Sequence, residues 1–182
     1  MRQVGRRWRI ASALVVVAGV LFAASPAWAH VEIEPGSLPK GATATWSFRV
    51  PNEEPNADTV KLEVFFPDKF PIPDVLVQQK PGWTFAVETK HLAKPIKTDD
   101  GSFSDVVTKV TWSGGQIVPG GFDLFTLFGG PLPTKTGKLV FKALQTYSDG
   151  TVVRWIQTPV KGAPEPDDPA PTLLLTKATR SH

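Results

Sequence analysis

Cysteine is absent from the 182 residues, and the single methionine is the initiator. Without thiols no disulfide can staple the chain, so an exported domain of this sequence must be held by its core alone. Thiolate and thioether donors are missing for the same reason. Cu(I) then has no soft ligand, thiolate zinc cages and blue-copper centres are excluded, and any bound metal must be taken by nitrogen and oxygen. Acidic residues are missing at the start, where no Asp or Glu precedes Glu32 while Arg2, Arg6, Arg7 and Arg9 crowd the terminus. Those four arginines carry the formal net charge of +3 and the pI near 9.2. Setting them aside lowers the 20 Lys and Arg to 16, against 17 Asp and Glu. The body of the chain is near neutral, which argues against nucleic acid as a partner.

The basic start reads as a secretory signal. An apolar run from Ile10 through Phe22 follows it, then Ser25-Pro26-Ala27-Trp28-Ala29, an A-x-A pattern of the kind signal peptidase cuts. The run is short of the roughly 20 residues a membrane span needs, so cleavage after Ala29 is expected and His30 becomes the mature N-terminus. Arg6-Arg7 raises twin-arginine export. The charge at Arg9 favours the general route instead.

From His30 to about Gln157 no apolar period of 3.6 is long enough for a helix, and short alternating runs dominate. Ala44, Trp46, Phe48 and Val50 fall on one face of one run. Val60–Phe66, Trp83–Val87 and Val106–Trp112 alternate likewise. Turn chemistry separates them at Pro67-Asp68, Lys80-Pro81-Gly82, Thr98–Gly101, Ser113-Gly114-Gly115 and Pro119-Gly120-Gly121. Asp149-Gly150, between Leu139–Tyr147 and Val152–Ile156, predicts a tight hairpin. This spacing predicts an all-β protein, an antiparallel β-sandwich of cupredoxin-like or immunoglobulin-like type. With hydrophobics at 41% the chain supports one core. The expected organisation is a signal peptide at 1–29, a β-sandwich domain at 30–160, a Pro-rich acidic linker at 161–171, and a short C-terminal strand and tail at 172–182 belonging to the same domain. No C-terminal membrane helix follows the linker, so no membrane anchor is expected in the mature chain.

A terminal histidine offers two nitrogens, the freed α-amine and the imidazole, which together chelate. With an amine pKa of about 7.7–8.0, binding displaces one loosely held proton at neutral pH. Nitrogen-rich tetragonal sets suit Cu(II). Further donors are scarce, because His91 and His182 are the other histidines. His91 reads as a solvated turn residue before a polar Lys94–Gly101 loop, and His182 ends the tail. Carboxylates remain: Glu53 and Glu54 in Val50-Pro51-Asn52-Glu53-Glu54-Pro55, equally readable as an acidic turn, and Glu32 and Glu34, whose parity reads as a wet face shared with His30. Trp46, Trp83 and Trp112 read as core. Trp155, adjacent to Ile156, is either a cover over a site or part of a strand covered on both faces.

Ala29-His30-Val31, Val50-Pro51-Asn52-Glu53, Pro81-Gly82-Trp83, Gly130-Pro131-Leu132-Pro133 and the long block Phe141–Trp155 together resemble the YcnI-like proteins, over His30 to about Ala178. The resemblance implies a cupredoxin-like sandwich that binds Cu(II) outside the cytoplasm through a single-histidine brace. Carried over by motif, the metal residues are His30, Glu53 directly after Val-Pro-Asn, and Trp155 after the Asp-Gly hairpin. Glu54 leaves a one-residue ambiguity in the carboxylate. The resemblance also implies a non-enzymatic role in copper trafficking or storage, with a membrane copper transporter or another copper carrier as partner. Two alternatives stand beside it: a copper-dependent oxidase or monooxygenase, for which His91 would have to supply the second histidine, and a structural interaction domain that binds no metal.

Overall fold

The computed structural model describes residues 30–98, 101–160 and 162–178. The expected signal peptide at 1–29, the Asp99-Asp100 turn, Lys161 and His182 lie outside the described residues. Within them the chain forms β1 (Glu32–Glu34), β2 (Ser37–Pro39), β3 (Ala44–Pro51), β4 (Thr59–Phe65), β5 (Asp74–Val77) and β6 (Thr84–Thr98). It continues through β7 (Gly101–Ile117), β8 (Phe122–Gly130), β9 (Lys138–Val140), β10 (Lys142–Tyr147), β11 (Val152–Trp155) and β12 (Thr172–Thr176).

Three sheets result, ordered β1-β3-β8-β5, β11-β10-β4-β7-β6 and β2-β12-β9. Every pairing is antiparallel except β12 with β2, which run parallel. The four- and five-stranded sheets pack face to face because each strand turns its apolar parity inward: Trp46, Phe48 and Val50 from β3, Leu62 and Val64 from β4, Phe125 and Leu127 from β8 are all buried. Phe125 meets Trp83 and Trp112 at ring-centroid distances of 4.9 and 5.2 Å. Burying one such side chain contributes roughly 1.5–3 kcal/mol, so a core of this size stands in for the missing disulfides.

Three local expectations are corrected. Leu139–Tyr147 is not one strand: the chain changes sheets at Phe141, whose buried ring sits against Phe48 and Phe66 at 5.3 and 5.2 Å. Lys94–Thr98, read as part of a polar loop, belongs to β6, which pairs with β7 out to Thr98↔Gly101. Alternation reports burial, and this arm is exposed along most of β6, so its hydrogen-bond ladder leaves no apolar trace. Ser113-Gly114-Gly115 is not a turn between strands either. It is an irregularity inside β7, where the register to β4 shifts and Trp83 packs so closely that a Cβ on Gly115 would stand 2.4 Å from its ring.

Candidate metal centre

One end of the sandwich gathers His30, Trp155 and the Glu53-Glu54 loop. The register Glu32↔Arg49, Ile33↔Phe48, Glu34↔Ser47, continued by two residues, sets His30 opposite Pro51, the residue before Asn52-Glu53. Glu32 and Glu34 do form a wet face, held by the Arg49 guanidinium, whose Nε donates to Glu34 Oε1 at 2.8 Å while Nη2 bonds Glu32. His30 departs from that face. The chain bends there, and the imidazole packs edge-on against Trp155, with centroids 5.8 Å apart and planes at 61°. His30 is thus brought against a residue of the opposite sheet and keeps a side chain 22% exposed.

Trp155 owes its position to Gln145. The β10–β11 hairpin closes through Asp149-Gly150, with Gly150 at φ +88° and Asp149 Oδ1 accepting the Thr151 N–H at 2.8 Å. That bond holds the Asp149 carboxyl below its ordinary range. Ala143 then faces Trp155, and Trp155 Nε1–H donates to Gln145 Oε1 at 3.0 Å. Gln145 Nε2 donates to Pro51 O at 2.8 Å and to Thr59 Oγ1 at 2.7 Å. An indole N–H only donates and a carbonyl only accepts, so this wholly buried amide has one orientation that satisfies all its partners. It joins β10, β11, the end of β3 and the start of β4.

Asn52 does the same for the acidic loop. Fully buried, it donates through Nδ2 to Ala57 O at 2.9 Å and Ile117 O at 2.8 Å, and its Oδ1 accepts the Glu54 N–H at 2.9 Å. The two glutamates differ in exposure. Glu54 is half-buried and its charge acts on Tyr147, whose phenol is pushed above its ordinary value of 10.0 by burial first and by Glu54 second. Glu53 is exposed and lines a shallow cleft with Arg49, Gly120 and Phe122. It shares an end of the molecule with His30, but no bond joins the two.

Among the described residues no three His, Cys, Asp or Glu side chains converge tightly enough to cage a metal. The carboxylate that does meet His30 is Glu165, with Oε1 3.8 Å from Nδ1. Sequence reasoning missed it, because a Pro-rich acidic stretch gives no sign of where it docks. Gln145 was also missed, although a signal existed: Phe141, Ala143, Gln145 and Tyr147 share the buried parity, and a glutamine at such a position needs partners. His91 stands apart. It lies exposed on β6, not in a turn, with Nδ1 3.1 Å from Asp105. β6 and β11 are the two outer strands of the five-stranded sheet, four spacings or roughly 19 Å apart.

Fold and site together define an all-β sandwich with a histidine and a buried tryptophan at one end. A crystal structure of an uncharacterized protein from Nocardia farcinica, described as having an immunoglobulin-like fold, matches with a TM-score of 0.65 and 35% identity, covering 82% of this chain and 99% of that one. Of the two sandwich types left open by the sequence, this neighbour carries the immunoglobulin-like description. The chain belongs to the family described as a domain of unknown function, DUF1775, whose model matches residues 30–175; this is the family of the YcnI-like proteins. The copper-binding protein CutI of Bacillus subtilis (strain 168) is 34% identical over 145 residues, 77% of this chain and 61% of its own. This chain therefore spans about three-fifths of that relative's length.

Proposed function

We propose that the chain, once cut after Ala29, binds one Cu(II) outside the cytoplasm and serves copper trafficking or storage without catalysing a reaction. The observation that carries this reading is the packing of His30 against Trp155, which sets the would-be terminal residue on a rigid wall. The name of the relative CutI supports copper as the cargo.

The donors suit that ion. His30 supplies its imidazole and freed α-amine, Glu53 a carboxylate, and for such nitrogen and oxygen donors Cu(II) stands highest in the divalent affinity order. Glu53 is taken over Glu54 because it is the residue directly after Val50-Pro51-Asn52, where the family resemblance puts the carboxylate, and it is the more exposed of the two. Trp155 is a wall and not a nitrogen donor, since its N–H is committed to Gln145; its ring shields one side of the imidazole from water. A copper oxygenase that takes two histidines is disfavoured, because His91 lies across the full width of the sheet.

Calorimetric titration of protein beginning at His30 should show one tight Cu(II) site. Adding one residue before His30 removes the α-amine from the chelate and is expected to weaken binding more than a hundredfold. Tight binding that survives the extension would overturn the brace.

A further inference from the structure

We propose that Glu165 is a direct copper ligand, the carboxylate that completes the donor set around His30. This rests on the reading of His30 as the copper site and assigns it a residue from the far end of the chain.

The acidic stretch after β11 is tied down at its base. Gln157 N–H donates to Asp168 O at 3.0 Å, and Ala170 N–H to Gln157 O at 2.7 Å. Asp168 N–H reaches Gln157 Oε1 at 3.2 Å. Ala170 is buried, and the chain runs on into β12, where Leu173 is wholly buried. Glu165 is thus carried on a segment anchored on both sides, and its carboxylate, 72% exposed, stands 3.8 Å from His30 Nδ1.

Three features make this contact a ligand position. Nδ1 is the ring nitrogen that closes a six-membered chelate with the residue's own α-amine, whereas Nε2 points away from that amine. Metal–donor bonds of about 2.0–2.2 Å separate two donors of one ion by about 2.8 to 4.3 Å as the angle between them opens from a right angle to a straight line. The observed 3.8 Å lies inside that span. Charge agrees as well: amine and imidazole leave Cu(II) doubly positive beside a buried indole, and an uncompensated charge at an apolar wall is costly. Glu165 supplies compensating negative charge at His30, and Glu53, from the same end of the molecule, would have to swing in on binding to give two nitrogens and two oxygens, a tetragonal set suited to Cu(II).

The test is calorimetry with Cu(II), together with electron paramagnetic resonance, on protein beginning at His30, comparing wild type, Glu165→Gln and Asp167→Asn. Asp167 is exposed on the same segment and controls for loss of charge alone. Glu165→Gln should weaken binding by at least the ~10–100-fold that losing even an outer-shell partner costs, and should change the copper hyperfine splitting. Asp167→Asn should change neither. An equal loss in both variants, or unchanged affinity and spectrum in Glu165→Gln, overturns the assignment while leaving wild-type copper binding intact. No binding by wild type overturns the copper reading and this assignment with it. Melting of the metal-free variants at the wild-type temperature verifies the fold.

Discussion

Gln145 concentrates more of the site's geometry than any residue that could touch a metal. Gln145→Leu keeps the approximate volume but strands the Pro51 carbonyl and the Trp155 indole N–H, both otherwise satisfied by it. A buried polar group left without a partner costs about 1–3 kcal/mol, so the variant should lose roughly 2–5 kcal/mol in urea denaturation. It should also bind Cu(II) less tightly, because Trp155 is no longer held against His30. A variant of unchanged stability would show that the amide is not the tie described. Tyr147 provides a second residue-scale readout, being the only tyrosine. Its phenol is held above 10.0 by burial, with Glu54 adding to the push and a Thr59 hydrogen bond opposing it. A raised folded value means stability that is fully present below the unfolded pKa and lost as pH rises through the folded one. Tyrosinate absorbance should therefore show a midpoint above 10.0 that coincides with alkaline destabilisation. Glu54→Gln should lower the midpoint, and Glu53→Gln should lower it less, since Glu53 contributes after Glu54.

At the scale of elements, the contact between Trp83 and β7 is the sharpest local constraint. A methyl group on Gly115 would meet three ring atoms of Trp83 at 2.4–2.5 Å, and Trp83 is itself packed on Phe125. Overfilling a packed core costs about 1–3 kcal/mol. Gly115→Ala should lower the melting temperature accordingly, and Gly137→Ala, with nothing within 4 Å of the added carbon, should leave it nearly unchanged. The same element marks where the sequence was legible and where it was not. Strands that bury one face, such as β3 and β4, announce themselves by alternation, and the Asp149-Gly150 turn by its chemistry. β6 and the first residues of β7 bury little, so the length of this arm was hidden, and the paired glycines of β7 read as a turn because the ring that requires them is distant in sequence. For the site, His30 and Trp155 could be named in advance, one from the cleavage pattern and the other through the family resemblance. Their contact could not, because it depends on how the two sheets are clamped by Gln145. Glu165 was beyond reach for a plainer reason: its position is set by backbone bonds between Gln157 and the residues Asp168 and Ala170, which no side-chain pattern encodes.

Across the whole molecule, the chelate proposed at His30 would couple metal binding to the folded state. His30 meets Trp155 and Glu165 only when β1, β11 and the segment before β12 are assembled, so an ion bound there adds to the stability of the native protein. At a free Cu(II) concentration a hundred times the Kd the gain is about 2.7 kcal/mol. A chelator should reverse the rise in melting temperature, and protein extended by one residue before His30 should show no rise. The preference for Cu(II) in the proposed reading rests on what the chain lacks. Cysteine is absent and the one methionine precedes the expected cleavage point, so reduction to Cu(I) leaves the ion among amine, imidazole and carboxylate, none of them the soft donor it prefers. Reduction should then act as the release step, weakening binding and letting a thiolate- or thioether-bearing carrier take the metal. Anaerobic competition against a Cu(I) chelator, set beside the Cu(II) titration, measures the difference directly. Affinity for Cu(II) should exceed that for Cu(I) by orders of magnitude, and near-equal affinities would mean that release requires a partner to pull the ion away, with no help from reduction.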